Sequence, residues 1–371
     1  MKNNTLNPFR IVIKAIILLL CFNFAYPLIQ KIPFQNITLY NHLVQGRERL
    51  PFGETPQLSY NLTMNDMDAM LLSHEISKRN ADNSLKIVIG GDSSVWGTLL
   101  ENEDTISAKL EQRIAKEGSE LGENFQVFNL GYPTTAILKD LAFLDASLVY
   151  EPDVIIWFVT LNSLIHDAIK DAPILLNNPV KTNALITKYD LATPLLPQKT
   201  YMENTFYNQR RDIHDRIQLQ LFAPMWVATG IDQNYPKDYQ AAARDLEADD
   251  SYADIEDQVL REQDLDIEVI TAFIENNPDV RVIVVNEPIL ISEGVNSDIR
   301  YNFYYPRWAY DQYRTLMATT FEEKGIKYID LWDSVPEEYF TNSAIHYNAQ
   351  GVDILIDDLF LKIEKEISLN K

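Results

Sequence analysis

Five short β-branched runs recur along this chain, and helical patterns separate them. They are KIVIG at 86–90, QVFNL at 126–130, DVIIWFVT at 153–160, VRVIVVN at 280–286 and IKYID at 326–330. Near-continuous apolar runs belong to strands covered on both faces, and their alternation with helices predicts a parallel sheet between helical layers. "DTISAKLEQRIAKEG" carries Ile106, Leu110 and Ile114 at four-residue spacing, with Thr105 as N-cap and Gly118 as stop. "TTAILKDLAFLDASLVY" reads as the next helix. "NAQGVDILIDDLFLKIEKEI" reads as the last, turning Ile354, Leu355, Leu359, Ile363 and Ile367 to the core. Ligands of such sheets bind beyond the carboxyl ends of the strands.

The interval between the third and fourth runs, about 164–277, exceeds one crossover helix and predicts an insertion. Within it "NNPVKTNALITKYDLATPLLPQKTY" reads as loop, "RRDIHDRIQLQLFAPMWVATG" as helix, and "DLEADDSYADIEDQ" as an exposed acidic tract. Ahead of the first run, 31–84 reads as a stem or N-terminal lobe. The main α/β domain is expected over 85–371.

Residues 1–30 form a cytoplasmic tip and a signal-anchor helix in this reading. The run Ile11–Leu28, interrupted by Lys14, is long enough to span a bilayer. Lys2, Arg10 and Lys14 at its start favour a cytoplasmic N-terminus and an extracytoplasmic body. A cleaved signal is the rival, although Asn23 makes "FNFA" a poor cleavage site. Leu20 before Cys21 argues against lipidation. One cysteine excludes an intramolecular disulfide and a cysteine-based metal site. The net charge of −22 argues against nucleic acid as a partner, because such a chain repels phosphate.

The strand ends carry the chemistry. The first ends in "GDSSVWG", where glycines allow a sharp turn and the next helix aims backbone N–H groups over Ser93. Ser93 is a candidate nucleophile; an N-cap or a phosphate loop is the alternative, and the latter lacks Gly-Lys-Ser/Thr. The second ends in "NLGYPTT", where Gly131 permits close backbone approach. The third ends in "FVTLNSL", where Asn162 can donate an amide hydrogen. Ser93 N–H, Gly131 N–H and the Asn162 side chain together would make a three-donor oxyanion hole. A serine nucleophile needs a base. His346, after the fifth run in "FTNSAIHYNAQG", is the candidate. His166 competes, while His42, His74 and His214 lie away from the strand ends.

These blocks, in this order, resemble the SGNH (GDSL-type) hydrolases. Ser93, Gly131, Asn162 and His346 match the family's four signature residues over about Leu85 to the C-terminus, the insertion excepted. The resemblance implies a flavodoxin-like three-layer α/β fold with a five-stranded parallel sheet. It implies ester hydrolysis or acyl transfer through an acyl-serine, without a cofactor or a metal. Two departures stand out. The third block reads Thr160-Leu161-Asn162-Ser163 where the family has Gly-x-Asn-Asp. Ser343, with Asn342 beside it, occupies the place of the usual Asp before the histidine. A backbone carbonyl, Asp330 or Asp333 could orient His346 instead.

Asn286, Glu287, Tyr304, Tyr305, Arg307, Trp308 and Tyr310, after the fourth run, are candidates to line a substrate cleft or to pack a long loop. Three readings follow. The first is an extracytoplasmic esterase acting on an ester such as an O-acylated glycan. The second is a cell-envelope polysaccharide O-acyltransferase working with a membrane acyl-transfer partner. The third is a non-catalytic glycan-binding or assembly factor on the same fold, which the missing Asp favours.

Overall fold

Strand residues point alternately to the two faces of a sheet, and here both sets are apolar. The computed structural model describes residues 7–29, 43, 46–52, 67–78, 84–117, 125–165, 172–229 and 238–368. The main elements are α1 (Pro8–Ile29), β1 (Leu85–Gly90), α2 (Ser93–Trp96), α3 (Ile106–Glu117), β2 (Phe125–Asn129), α4 (Ile137–Ser147), β3 (Val154–Val159) and α5 (Leu161–Leu164). They continue as α6 (Arg210–Thr229), α7 (Ile267–Asn276), β4 (Arg281–Asn286), α8 (Arg307–Glu323), β5 (Lys327–Asp330) and α9 (Ala349–Ser368).

The five strands are all parallel, in the order β2-β1-β3-β4-β5. Val88, Phe128, Ile155, Trp157 and Val284 pack on one face with α4, α7 and α8. Ile87, Ile89, Val127, Ile156, Phe158 and Ile283 pack on the other with α3 and α9. This is the expected three-layer α/β arrangement. Helix α9 buries Leu355, Leu359, Ile363 and Ile367 as the spacing predicts, with Ile356 deeper than Ile354.

The strand order reverses beside β1, so the carboxyl ends of β1 and β3 flank a crevice. Three chain reversals there need special backbone. Gly91 has φ +155°, and a Cβ on it would meet Val95 Cγ2 at 2.6 Å. Gly97, at φ +90°, ends the four-residue helix α2 in a left-handed cap. A Cβ on Gly131 would lie 2.4 Å from the Trp96 backbone nitrogen, so only glycine lets the β2 loop approach α2.

The insertion differs from its sequence reading in one place. Pro179–Lys188, expected as loop, is helical: Pro179 sits at the first turn, where its missing N–H costs nothing, and Thr182, Leu185 and Ile186 face the core. Residues 46–52 pack onto the turn after β1 that carries Ser93. The Trp96 indole donates to the Leu50 carbonyl at 2.6 Å, and Arg49 donates to the carbonyls of Gly97 and Leu100. Helix α1 is exposed and is long and apolar enough to cross a membrane.

Candidate active site

Ser93 opens α2, immediately beyond β1. Asp92 caps that helix, its Oδ1 accepting the Ser94 N–H at 3.0 Å. Ser93 is half-buried, and among the described residues no acceptor holds its N–H. As a first-turn donor it lacks an intrahelical partner by geometry.

The loop after β5 brings His346. Thr341 N–H donates to the His346 carbonyl at 2.8 Å, closing the turn that carries Asn342 and His346. His346 Nε2 lies 2.7 Å from Ser93 Oγ, although 253 positions separate the two residues. On the other side of the ring, Nδ1 lies 2.8 Å from Asn342 Oδ1. An amide oxygen there accepts from Nδ1–H. That tautomer leaves the Nε2 lone pair free to accept the Ser93 hydroxyl proton. Burial lowers the His346 pKa to about 4, so the imidazole is neutral at pH 7.

Asn342 therefore holds the position expected of an acid, and neither Asp330 nor Asp333 does. Asp330 is held by Asn286 Nδ2 and by the Arg314 guanidinium, each at 2.8 Å. Asp333 is exposed, and Ser343 is buried without bonding the imidazole. The signal was adjacent in sequence. Asn342 is four residues before His346, and the turn closed by the Phe340–Tyr347 bridge makes that spacing reach Nδ1.

Asn162 stands in the short helix α5, just past β3. Its Oδ1 accepts the Tyr252 hydroxyl at 3.3 Å, which leaves the Nδ2 hydrogens for another acceptor. Burial pushes the Tyr252 phenol far up, so it remains a donor at all ordinary pH. Tyr252 comes from the insertion, 90 positions away in sequence, and nothing local in the sequence marks it. Gly131 is placed differently from expectation. Its N–H donates to Asn129 Oδ1 at 3.0 Å, so that donor is already engaged. Gly131 contributes close approach to α2, and the free donors are Ser93 N–H and Asn162 Nδ2.

Beneath Ser93 lies a buried acidic cluster that sequence reasoning missed. Ser94 Oγ donates to Glu287, and Tyr347 also reaches that carboxyl. Burial, with Asp92 nearby, raises Glu287 well above the usual carboxylate range, so it holds its proton. Burial likewise raises Asp92 and brings Asp140 to about 6. Lys139 pairs with Asp140 and donates to the carbonyls of Gly91 and Tyr132 at 2.9 and 2.6 Å. It thereby ties the β1 loop to the β2 loop.

The remaining candidates sort by burial. His74 is buried and bonded to the Glu48 carbonyl and the Ile76 N–H, a structural histidine. His214 is exposed on α6. His42 and His166 fall outside the described residues. Of the proposed cleft residues, Asn286, Glu287, Tyr305 and Tyr310 are buried in the core and do not line an open cleft. Arg307 and Trp308 brace loops, bonding the carbonyls of Ser297 and Asp250. Tyr304 is exposed beside Phe303, their rings 4.4 Å apart.

No protein-family model matches this chain, and no protein of curated function matches it. Solved structures do. One is a lipolytic protein of the G-D-S-L family from Desulfitobacterium hafniense, at 14% identity and TM-score 0.35, covering 75% of this chain and 99% of the other. A psychrotrophic esterase from Pseudoalteromonas sp. is 12% identical, at TM-score 0.38, over 76% and 99%. A carbohydrate acetylesterase from Sinorhizobium meliloti is 13% identical, at TM-score 0.34, over 76% and 99%. With identities this low and TM-scores below 0.5, the chemistry is read from the side chains.

Proposed function

We propose that this chain is a serine esterase of SGNH type that works through an acyl-serine. One observation carries the reading: Ser93 Oγ lies 2.7 Å from His346 Nε2, and Asn342 holds the opposite ring nitrogen. His346 takes the Ser93 proton as Oγ attacks the ester carbonyl. Negative charge develops on the carbonyl oxygen, where Ser93 N–H and Asn162 Nδ2 donate. The imidazolium then protonates the departing alkoxide, leaving the acyl group on Ser93. Water, deprotonated by His346, attacks the acyl-serine and releases the acid.

The substrate in this reading is an O-acylated glycan. The exposed Phe303–Tyr304 pair supports it, because a sugar ring stacks on such faces. The Tyr304 ring lies 5.9 Å from that of Tyr305, and Tyr305 lies 6.3 Å from Tyr252. Helix α1 anchors the body on the extracytoplasmic side, supported by its apolar length and by Arg10 and Lys14 near its start. A sugar hydroxyl taking the place of water would turn the same intermediate to O-acyl transfer.

The test is labelling by a fluorophosphonate probe and hydrolysis of p-nitrophenyl acetate, with Ser93→Ala and His346→Ala alongside. Labelling and turnover in the wild type, lost in both variants, is the expected result. A folded wild type that neither labels nor turns over ester sinks the reading and favours a binding protein on this fold. Acyl groups recovered on an added glycan, instead of as free acid, would identify a transferase.

A further inference from the structure

Residues 201–207 of the insertion touch helix α1, through polar groups and one aromatic ring. Asn23 sits in the apolar run, and Pro27 follows four residues later. A proline has no N–H, so the Asn23 carbonyl loses its helical partner. The Phe206 N–H donates to that carbonyl at 3.4 Å, and the Tyr207 N–H donates to Asn23 Oδ1 at 2.8 Å. The Tyr201 hydroxyl donates to the Phe24 carbonyl. The Phe206 ring packs edge-on against Phe22 at 5.0 Å and Tyr26 at 5.6 Å. Beside this contact Tyr201, Met202 and Tyr207 are 51, 56 and 65% exposed.

We propose that residues 200–209 form a collar that clasps α1 and seats in the interfacial layer of a lipid bilayer. The inference rests on reading α1 as a membrane anchor. Polar groups within a bilayer must be satisfied by protein, and the collar satisfies the Asn23 carbonyl that Pro27 leaves open and the Asn23 side-chain oxygen. At a rise of about 1.5 Å per residue, Asn23 lies roughly 9 Å from the end of α1, where a span leaves the hydrocarbon. Tyrosines favour that depth, with ring in lipid and hydroxyl in water. Apolar residues are exposed both on α1, Phe22, Phe24 and Leu28 among them, and on the segment that touches it, Met202 and Tyr207. The collar also requires that the helix be retained, since cleavage before Tyr26 removes Phe22, Asn23 and Phe24.

The experiment uses the full chain in phosphatidylcholine vesicles, with the lone cysteine replaced (Cys21→Ser). A nitroxide is placed in turn by Leu18→Cys, Met202→Cys, Tyr207→Cys and Leu361→Cys. Oxygen, which concentrates in lipid, and a water-soluble nickel chelate report depth. The labels at 202 and 207 should be at least about fivefold less accessible to nickel than that at 361, while remaining open to oxygen. Asn23→Leu should return the label at 202 toward the value at 361. Nickel access at 202 and 207 equal to that at 361, with the label at 18 in lipid, overturns the collar alone. Shielding from both nickel and oxygen marks contact with protein, a partner or a second copy, and also overturns it. A label at 18 in water removes the anchor reading and the collar together.

Discussion

The turn that carries Ser93 and the turn that carries His346 are built on opposite principles. Behind Ser93 stand three buried carboxyls, Asp92, Asp140 and Glu287, with Lys139 as their cationic neighbour. Behind His346 stands one neutral amide, Asn342. Titratable groups thus stand where they shape the backbone of the serine turn, and a neutral amide stands at the imidazole. A neutral amide fixes the tautomer but stabilises the imidazolium less than a carboxylate does. The comparison teaches that orientation and charge support are separable duties. Here only orientation is provided at the histidine.

Substitutions can break this comparison at graded cost. Gly131→Ala has the largest expected effect: a Cβ 2.4 Å from the Trp96 nitrogen forces α2 away. We expect a loss of about 3 kcal/mol in chemical denaturation, with Ser93 no longer reactive toward fluorophosphonate. Unchanged reactivity would show that the β2 loop does not set the serine turn.

Asn342 separates the two duties directly. Asn342→Ala should lower kcat by about 10²-fold, since the ring loses its tautomer. Asn342→Asp should raise kcat above wild type and move the acid limb of kcat/KM from near pH 4 toward neutrality, because a carboxylate favours the charged imidazole. A wild-type limb at pH 6–7 would contradict the buried, neutral base. Stability must be followed over the same range. A histidine whose folded pKa lies below its unfolded value stabilises the fold above about pH 6.5, and that stability is lost as pH falls toward about 4.

Tyr252→Phe tests the oxyanion side. With its oxygen unheld, the Asn162 amide can turn, and kcat should fall about tenfold with KM nearly unchanged. A rise in KM alone would place Tyr252 in substrate binding. Glu287→Gln should be mildest, with activity within about threefold, because the protonated acid and the amide both accept from Ser94. Its signature is in the pH dependence of unfolding. Glu287 has a raised folded pKa, so it contributes stability below its unfolded value that is lost as pH rises through the folded one. The variant should flatten that decline, and an unaltered pH profile would mean that Glu287 is not protonated in the fold.

Strand ends were legible because apolar runs stop abruptly at Gly91, Leu130 and Thr160, and sheet topology brings such ends together. The same logic located Ser93, Asn162 and His346. Asn342 was not legible because the family pattern places an acid three residues before the histidine, whereas the turn's closure decides which side chain meets Nδ1. Tyr252 lies in an insertion with no periodicity to follow. Glu287 read as a candidate for the cleft or for loop packing because it follows the fourth strand; only packing places it under Ser94.

The 253 positions between Ser93 and His346 have a consequence in time. Contacts this distant in sequence form late, after the intervening loop entropy has been overcome. Ser93 emerges early in synthesis, with its sheet unfinished and no base beside it. It acquires its partner only once β5 and the turn at 340–347 have followed β4 into place. In the esterase reading, a chain caught halfway through synthesis is therefore inert toward esters. Reactivity at Ser93 reports completed folding.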